Sequence, residues 1–299
     1  MRISIANHSS YPGGNGDAEL ARVLREQAEA GLDLITDGQL GWADAITPPF
    51  ADLAGMRLGP STTRAGIPGP FRQPIVQARL RRHRPLCVAA YRRAAALSER
   101  PLKVVLAGPH TLAHAAEIAT TAYRSAAHLA DELSAIIAQE ATALADAGAP
   151  ALQIDEPLIL SRPGDMRQLR ALLEPIYDAA AGRMQVFVAT YGADAAPLYA
   201  QLNSLPADVI AVDCANRSAL ADVIAQTGSG KPLALGVVDD SPAAEDVAAL
   251  ARQCERLLRH YVHDTLWLQP ASGLARLDSD QARAKIAALR PLRDALASA

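Results

Sequence analysis

Eight short apolar runs rich in β-branched residues, at 2–6, 32–36, 102–107, 151–154, 186–190, 209–212, 233–238 and 265–268, recur between longer alanine- and leucine-rich amphipathic stretches. That alternation is the pattern of parallel strands joined by crossover helices. The intervening stretches predict helices over 17–30, 43–55, 110–147, 164–181, 194–203, 216–227, 242–261 and 278–297. Eight successive β-then-α units suggest a closed (β/α)8 TIM barrel more than an open doubly wound sheet, although the latter gives a similar alternation. The chain is 299 residues long, a common size for one such barrel, and the expectation is a single α/β domain over 1–299.

One segment breaks the repeat. Residues 57–84 carry Gly59, Pro60, Gly66, Pro68, Gly69 and Pro70 and then the alternating run 73–80, which reads as a loop leading to an extra strand, with Arg81, Arg82, His83 and Arg84 as a basic turn. That turn is read as solvated, with a polyanionic substrate tail as the sharper alternative. The insertion follows the second strand, so it is expected over the barrel mouth, where lids and substrate loops usually lie.

Composition narrows the function class. Acids and bases are interspersed and the formal net charge is −3, so there is no basic footprint for nucleic acid or an anionic membrane. Cys87, Cys214 and Cys254 are odd in number and far apart, which fits a reducing cytoplasm better than a disulfide framework. No window approaches the ~18 apolar residues of a membrane span, and residues 1–8 lack a signal-peptide core. The expected setting is cytoplasmic, with a small-molecule substrate, no nucleic acid or membrane partner, and a homo-oligomer or a companion barrel subunit as open possibilities.

The polar residues fall where an enzyme of this architecture would need them. Directly after the strands come Asn7-His8-Ser9-Ser10, Asp37-Gly38-Gln39, Gly108-Pro109-His110-Thr111, Asp155-Glu156-Pro157, Thr190-Tyr191-Gly192, Asp213-Cys214-Ala215-Asn216, Asp239-Asp240-Ser241 and Gln269-Pro270-Ala271-Ser272-Gly273. In a barrel these loops converge on one face. Such residues also cap helices and form turns, the roles expected of Asp194, Asn216 and Ser241, and Asp37-Gly38 is a turn signal on its face. Two adjacent carboxylates after the buried run 152–154 are harder to assign to capping, so Asp155 and Glu156 are candidates for chemistry. His8 and His110 are each a general base, a metal ligand or a hydrogen-bonded structural histidine. Asp213 with Cys214 can offer a carboxylate or thiolate, or Cys214 can be a small buried hydrophobe. His114, His128, His260 and His263 fall in or beside helices and read as surface residues. The catalytic candidates are therefore His8, His110, Asp155 and Asp213, and the substrate-binding candidates Ser9, Ser10, Asp37, Gln39, Glu156, Tyr191, Asp239 and Ser272.

Several of these residues carry a family likeness. Ser9-Ser10-Tyr11-Pro12, the run 26–38 ending in Ile35-Thr36-Asp37-Gly38, Ala107-Gly108-Pro109-His110-Thr111, Gln153-Ile154-Asp155-Glu156-Pro157 and Gly236-Val237-Val238-Asp239 resemble, in order and spacing, successive signatures of the cobalamin-independent methionine synthase barrel. Its superfamily also contains uroporphyrinogen decarboxylase. The runs 37–44 and 72–74 are most similar to the short, single-barrel forms. The resemblance implies a (β/α)8 barrel and transfer of a methyl group from methyltetrahydrofolate to the zinc-bound thiolate of homocysteine.

The departures bear on mechanism. The family's zinc ligands, a histidine and a cysteine two residues apart after the sixth strand, a glutamate after the seventh and a cysteine after the eighth, correspond here to Val188 and Thr190, Asp213, and Ser272, so the resemblance implies that the usual zinc site is missing. The substrate-gripping glutamate of the second loop is Gln39, and the folate-stacking tryptophan is Ala115. Asp155 is retained and, by the resemblance, can bind an ammonium group. The expectation is a methyltransferase that takes its methyl group from methyltetrahydrofolate or methylcobalamin and activates a small thiol or amine acceptor without family zinc, using His8, His110, Asp155 or Asp213 as base. The alternative is a barrel recruited to another reaction, or a non-catalytic partner of a separate methyltransferase barrel.

Overall fold

A computed structural model describes residues 1–215 and 217–298. In chain order the elements are β1 (Arg2–Ile5), α1 (Asp17–Glu29), β2 (Ala54–Thr62), β3 (Phe71–Arg81), α2 (Val88–Ala95), β4 (Lys103–Ala107), α3 (Pro109–Ala115), β5 (Glu117–Ile118), α4 (Ala126–Asp146), β6 (Ala151–Asp155), α5 (Met166–Ala180), β7 (Gln185–Thr190), α6 (Tyr199–Leu202), β8 (Val209–Asp213), α7 (Ser218–Thr227), β9 (Leu233–Val238), α8 (Val247–Leu257), β10 (Thr265–Pro270), α9 (Ser279–Ala287) and α10 (Leu289–Ala297). Seven strands pair in parallel in the order β1-β10-β9-β8-β7-β6-β4. The segment after α1, predicted as the second strand, makes two isolated parallel bridges, Ala6 with Leu34 on the β1 side and Ile35 with Leu102 on the β4 side. The fold is thus α/β with a mostly parallel sheet.

Strand alternation divides the interior in two. Val186 and Val188 pack into the larger core between sheet and helices, while Phe187, Ala189 and Tyr191 of the same stretch join the smaller cluster with Ala151, Val209, Ala211 and Ala234. Every residue of β6, β8 and β9 is buried, as strands covered on both faces must be. On the second face the side chains are mostly small, so that Phe187 and Trp267 can meet edge to face at 5.7 Å. Gly236 is required here: a Cβ on it would lie 2.6 Å from Cα of Ala271 and 3.0 Å from the Val212 carbonyl oxygen. Because both obstacles are backbone, Gly236→Ala should lower unfolding stability by about 1–3 kcal/mol, read as a lower urea midpoint at unchanged slope.

Several helices differ from expectation for local reasons. Residues 43–55 are not a helix: Pro48 and Pro49 start a short 3-10 turn, Pro48–Asp52, and the chain then enters β2. β2 and β3 form an antiparallel hairpin, joined by β5 into a three-stranded sheet, so the expected extra strand 73–80 is present and has a partner in 54–62 that its two glycines and proline hid. The stretch 110–147 is broken: α3 stops at Ala115, β5 pairs with β3, and Ser125 caps α4 through the His128 amide at 3.2 Å. The stretch 278–297 splits at Ala288, because Pro291 has no amide to continue the ladder. Helix α8 begins at Val247 under an Asp246 cap, so Ser241 does not cap it; Ser241 instead hydrogen-bonds Asp239. Asp194 accepts from the Ala196 amide at 3.0 Å, and Asn216 lies outside the described residues.

In the basic turn Arg81, His83 and Arg84 are exposed, as a solvated turn should be, and Arg82 is structural. The Arg82 guanidinium donates two hydrogen bonds, 2.9 and 2.8 Å, to the fully buried Glu140 of α4, and Arg84 pairs with Asp52. All three cysteines are buried and unbridged. Among the described residues no helix is long and apolar enough to cross a membrane.

Candidate active site

The strand alternation that builds the second core also sets the site. Continuing along the same face, His8 follows Ala6, Asp155 follows Gln153, Tyr191 follows Ala189 and Asp213 follows Ala211, all at the carboxyl ends of their strands. Lys103, Gln153 and Gln269 lie deeper, within β4, β6 and β10. The Lys103 ammonium donates to Gln153 Oε1 at 2.5 Å and reaches Gln269 Oε1 at 3.4 Å, with the Phe187 ring 5.0 Å away. Gln153 in turn donates to Asp155 Oδ1 at 2.7 Å, and the Tyr191 hydroxyl donates to Asp155 Oδ2 at 3.0 Å. Burial raises the Asp155 carboxyl to about 6, although these hydrogen bonds and Lys103 pull the other way. Burial lowers the Lys103 ammonium to about 7. His8 stands edge-on to Tyr191 at 4.9 Å with Nδ1 2.9 Å from Ser9 Oγ, and burial, helped by Lys103, holds it well below its ordinary value and therefore neutral.

Above this stack lies a cleft of about 320 Å³ lined by Ser9, Ser10, Gln39, Trp42, Tyr191, Ser272 and Arg276, with the hairpin loop residues Ile67 and Pro68 as one wall. It continues past Tyr191 and Ser272 into a second lobe of about 510 Å³ lined by Asp213, Arg217, Asp239, Asp240 and Ser241. Asp213 pairs with Arg217 at 3.4 Å, Asp240 pairs with Arg276, and Ser272 donates to Asp240 at 3.2 Å. Burial raises the Asp213 carboxyl despite Arg217. For Asp239 burial acts upward, but hydrogen bonds from Lys285 and Ser241 outweigh it and the carboxyl sits below its usual range. Among the described residues nothing hydrogen-bonds Gln39 Oε1, Thr190 Oγ1 or Asp213 Oδ1, all of which are buried. Buried polar atoms are ordinarily satisfied, so these mark positions where a polar ligand or water would be stabilised.

The remaining candidates divide by place. Asp37 accepts from the Gln39 amide at 2.9 Å and holds the turn in which Gln39 takes φ +52°, so it shapes the cleft edge from behind. Glu156 is fully buried and braces α3: it accepts from the amides of His110 and Thr111 and from the Thr111 hydroxyl at 2.6–2.9 Å. A Cβ on Gly108 would collide with that carboxylate, which is why a glycine precedes the helix. His110 is carried away from the cleft, beside His114 and Asp165. Asn7 donates to the Ser9 carbonyl and to Thr36. Cys214 is buried and faces the helix-side core with Cys254.

On β7, Val188 packs in the helix-side core, while Ala189 and Tyr191 share the cleft face. Lys103, Gln153, Gln269, Arg217 and Arg276 have no role in the sequence reading, although Gln153 and Gln269 stand in its motifs. The signal for the first three was a polar residue inside an otherwise apolar run.

The family profile described as the catalytic domain of cobalamin-independent synthase matches residues 13–295. The methionine synthase of Saccharolobus solfataricus is 27% identical over 303 residues, covering 97% of this chain and 88% of that protein. The 5-methyltetrahydropteroyltriglutamate–homocysteine methyltransferase of Corynebacterium efficiens is 29% identical over 288 residues, and this chain spans only 35% of its length. In structure, the B12-independent methionine synthase of Shewanella sp. W3-18-1 superposes with a TM-score of 0.87 at 20% identity, covering 99% of this chain and 98% of that one, which shows a shared fold. With a match over nearly its whole length, the chain belongs to the cobalamin-independent methionine synthase family, a family of methyltransferases.

Proposed function

We propose that the chain moves a methyl group from a folate-type donor, the kind named for its longer relatives, to a small amino-bearing thiol or amine held in the cleft. The reading takes residues 1–299 as one (β/α)8 barrel, with the segment bridged to Ala6 and Leu102 as its eighth stave and the hairpin, about 57–84, as an insertion over the mouth. The observation that carries it is buried Asp155 just beneath the cleft, bonded to the cleft-lining Tyr191 and with Asp213 in the same lining: one carboxylate to hold an ammonium group, a second to take a proton. Arg217 and Arg276 at the rim offer guanidinium groups to the carboxylates of a polyglutamate tail.

The residues at the family's zinc positions do not fit that ion. Val188 and Thr190, with Asp213 and Ser272, and the cleft-facing Ala189 and Tyr191 beside them supply no imidazole and no thiolate, the donors zinc favours. The acceptor must then lose its proton to the protein, and a thiol with an ordinary value of about 8.5 is not ionised at neutral pH without help. Asp213, raised by burial and with Oδ1 free of hydrogen bonds among the described residues, is the base. The acceptor atom gives its proton to Asp213 as its bond to the methyl carbon forms. The electron pair of the breaking N–CH3 bond stays on the donor nitrogen, which afterwards takes that proton. Ser9, Ser10, Gln39 and Ser272 orient the two substrates, and His8, neutral, holds Tyr191 edge-on.

The same donor set favours a second reading, a barrel recruited to another reaction or serving as a binding partner of a separate methyltransferase barrel. Purified chain is offered methyltetrahydropteroyltriglutamate or methylcobalamin with homocysteine, with and without chelator. Consumption of the folate donor that persists in chelator is expected. Consumption of methylcobalamin alone would replace the donor, and no turnover together with tight association with another barrel would install the second reading. Turnover lost in chelator and restored by zinc would overturn the zinc-free mechanism.

A further inference from the structure

Away from the cleft, the start of α3 and the turn before α5 bring together three metal-ligating side chains that the mechanism leaves unused. His110 and His114 stand one helical turn apart with ring centroids 4.5 Å from each other. Asp165 Oδ2 lies 3.0 Å from His110 Nε2 and 3.6 Å from His114 Nε2, and the three donor atoms all fall within 4.8 Å of one another. Atoms bound about 2.1 Å from one ion at tetrahedral or octahedral angles are about 3.0–3.4 Å apart, so shifts of no more than about 1 Å complete the site.

His110 Nε2 and Arg162 Nε already bond Asp165 Oδ2, yet three features leave donor capacity in the cluster for an ion. His114 Nε2 is buried with no hydrogen-bond partner among the described residues, although a carboxylate oxygen stands 3.6 Å away. Asp165 occupies the position before α5 but caps none of its amides. His110 Nδ1, likewise without a hydrogen bond, lies 3.8 Å from Glu156 Oε2, a carboxylate close enough to favour the cationic environment of a bound ion. The imidazole side chains are 0% and 13% exposed and that of Asp165 is 27% exposed, so the pair is preformed inside and an ion can enter from the aspartate side.

We infer that His110, His114 and Asp165 form a binding site for a first-row divalent transition metal such as Zn²⁺ or Co²⁺, pinning α3 to the turn before α5 and distinct from the family's zinc position. Two imidazoles and one carboxylate suit such ions better than Ca²⁺ or Mg²⁺, and three protein ligands leave coordination positions for water. Arg162 is the competitor: its Nε donates to the same Asp165 oxygen at 2.7 Å, from a side chain that is 46% exposed. The ion displaces this guanidinium, and the site is weaker for it.

The test is a titration of chelator-stripped full-length protein with Co²⁺, followed by its visible ligand-field bands and by calorimetry. One equivalent is expected to bind with nitrogen and oxygen ligands and no thiolate charge-transfer band. His114→Gln, at the more exposed imidazole, should weaken binding by more than about 100-fold, beyond the ~10–100-fold typical of an outer partner, whereas Arg162→Gln should tighten it by about fivefold. His114→Gln should also keep its circular dichroism and its methyl-donor turnover, so that loss of the ion is read apart from loss of fold or of the cleft chemistry. No binding in the Arg162→Gln variant, binding unchanged by His114→Gln, or a thiolate band would each overturn the assignment.

Discussion

Asp155→Asn should lower kcat/KM for methyl transfer by about 150- to 5000-fold, because removing one partner of a buried charge pair costs about 3–5 kcal/mol. The acceptor's ammonium group would be left without its counter-charge in a site that excludes water, and the loss should fall mainly on acceptor KM. The pH dependence gives a separate readout. Burial raises the Asp155 carboxyl to about 6, so the acceptor-binding anion dominates above that pH and is lost as pH falls through it. Acceptor KM should therefore rise about tenfold per pH unit below about 6 in the native protein and stay flat over that range in Asp155→Asn. The stability linkage has the opposite sign: a carboxyl raised in the folded state favours folding most below its unfolded value, near 3.8, and that contribution is lost as pH rises through about 6. Bound acceptor offsets the loss, so its stabilisation of the fold should be larger at pH 7.5 than at pH 5, and a ligand-induced Tm shift measured at both values checks it. Equal kcat/KM in Asp155→Asn and native protein would remove Asp155 from acceptor binding.

The alternation of short apolar runs and helices was enough to read the parallel sheet, because strands buried on both faces must be apolar throughout, and all seven sheet strands lie within or beside the expected runs. The second run, 32–36, was legible only as apolar; its backbone makes just the two isolated bridges. What escaped were features set by partners far away in sequence. β2 carries Gly55, Gly59 and Pro60 and is a strand because β3 is beside it. Glu156 stood next to Asp155 and looked like its equal, yet the period of two turns it away from Asp155, to brace α3. His114 read as a surface residue because helical position alone does not tell which face a turn of α3 presents to Asp165.

One buried contact that holds the hairpin to the body of the protein is the cluster around Glu140, and Glu140→Ala should lower unfolding stability by about 3–5 kcal/mol. Its carboxylate is fully buried on α4 and accepts from Arg82 twice and from the amides of Leu86 and Cys87 at 2.7 and 2.8 Å. Removing it leaves a guanidinium that is 12% exposed and two amides without this partner at once. The charge and the shape can be separated. Glu140→Gln keeps an acceptor for the amides and loses the ion pair, so it should fall between native protein and Glu140→Ala. Coupling Glu140→Leu with Arg82→Met removes both charges and should recover most of the loss, since a buried pair replaced by apolar groups of similar size is often neutral. Urea denaturation of the four proteins measures each difference. Because Arg82 directly follows β3, and the β2–β3 loop supplies Ile67 and Pro68 to one wall of the cleft, Glu140→Ala should also raise KM for both substrates at temperatures where the chain remains folded. A Glu140→Ala protein as stable as the native one would mean that the hairpin is held instead by its apolar contacts, Phe71, Val76 and Leu80 among them.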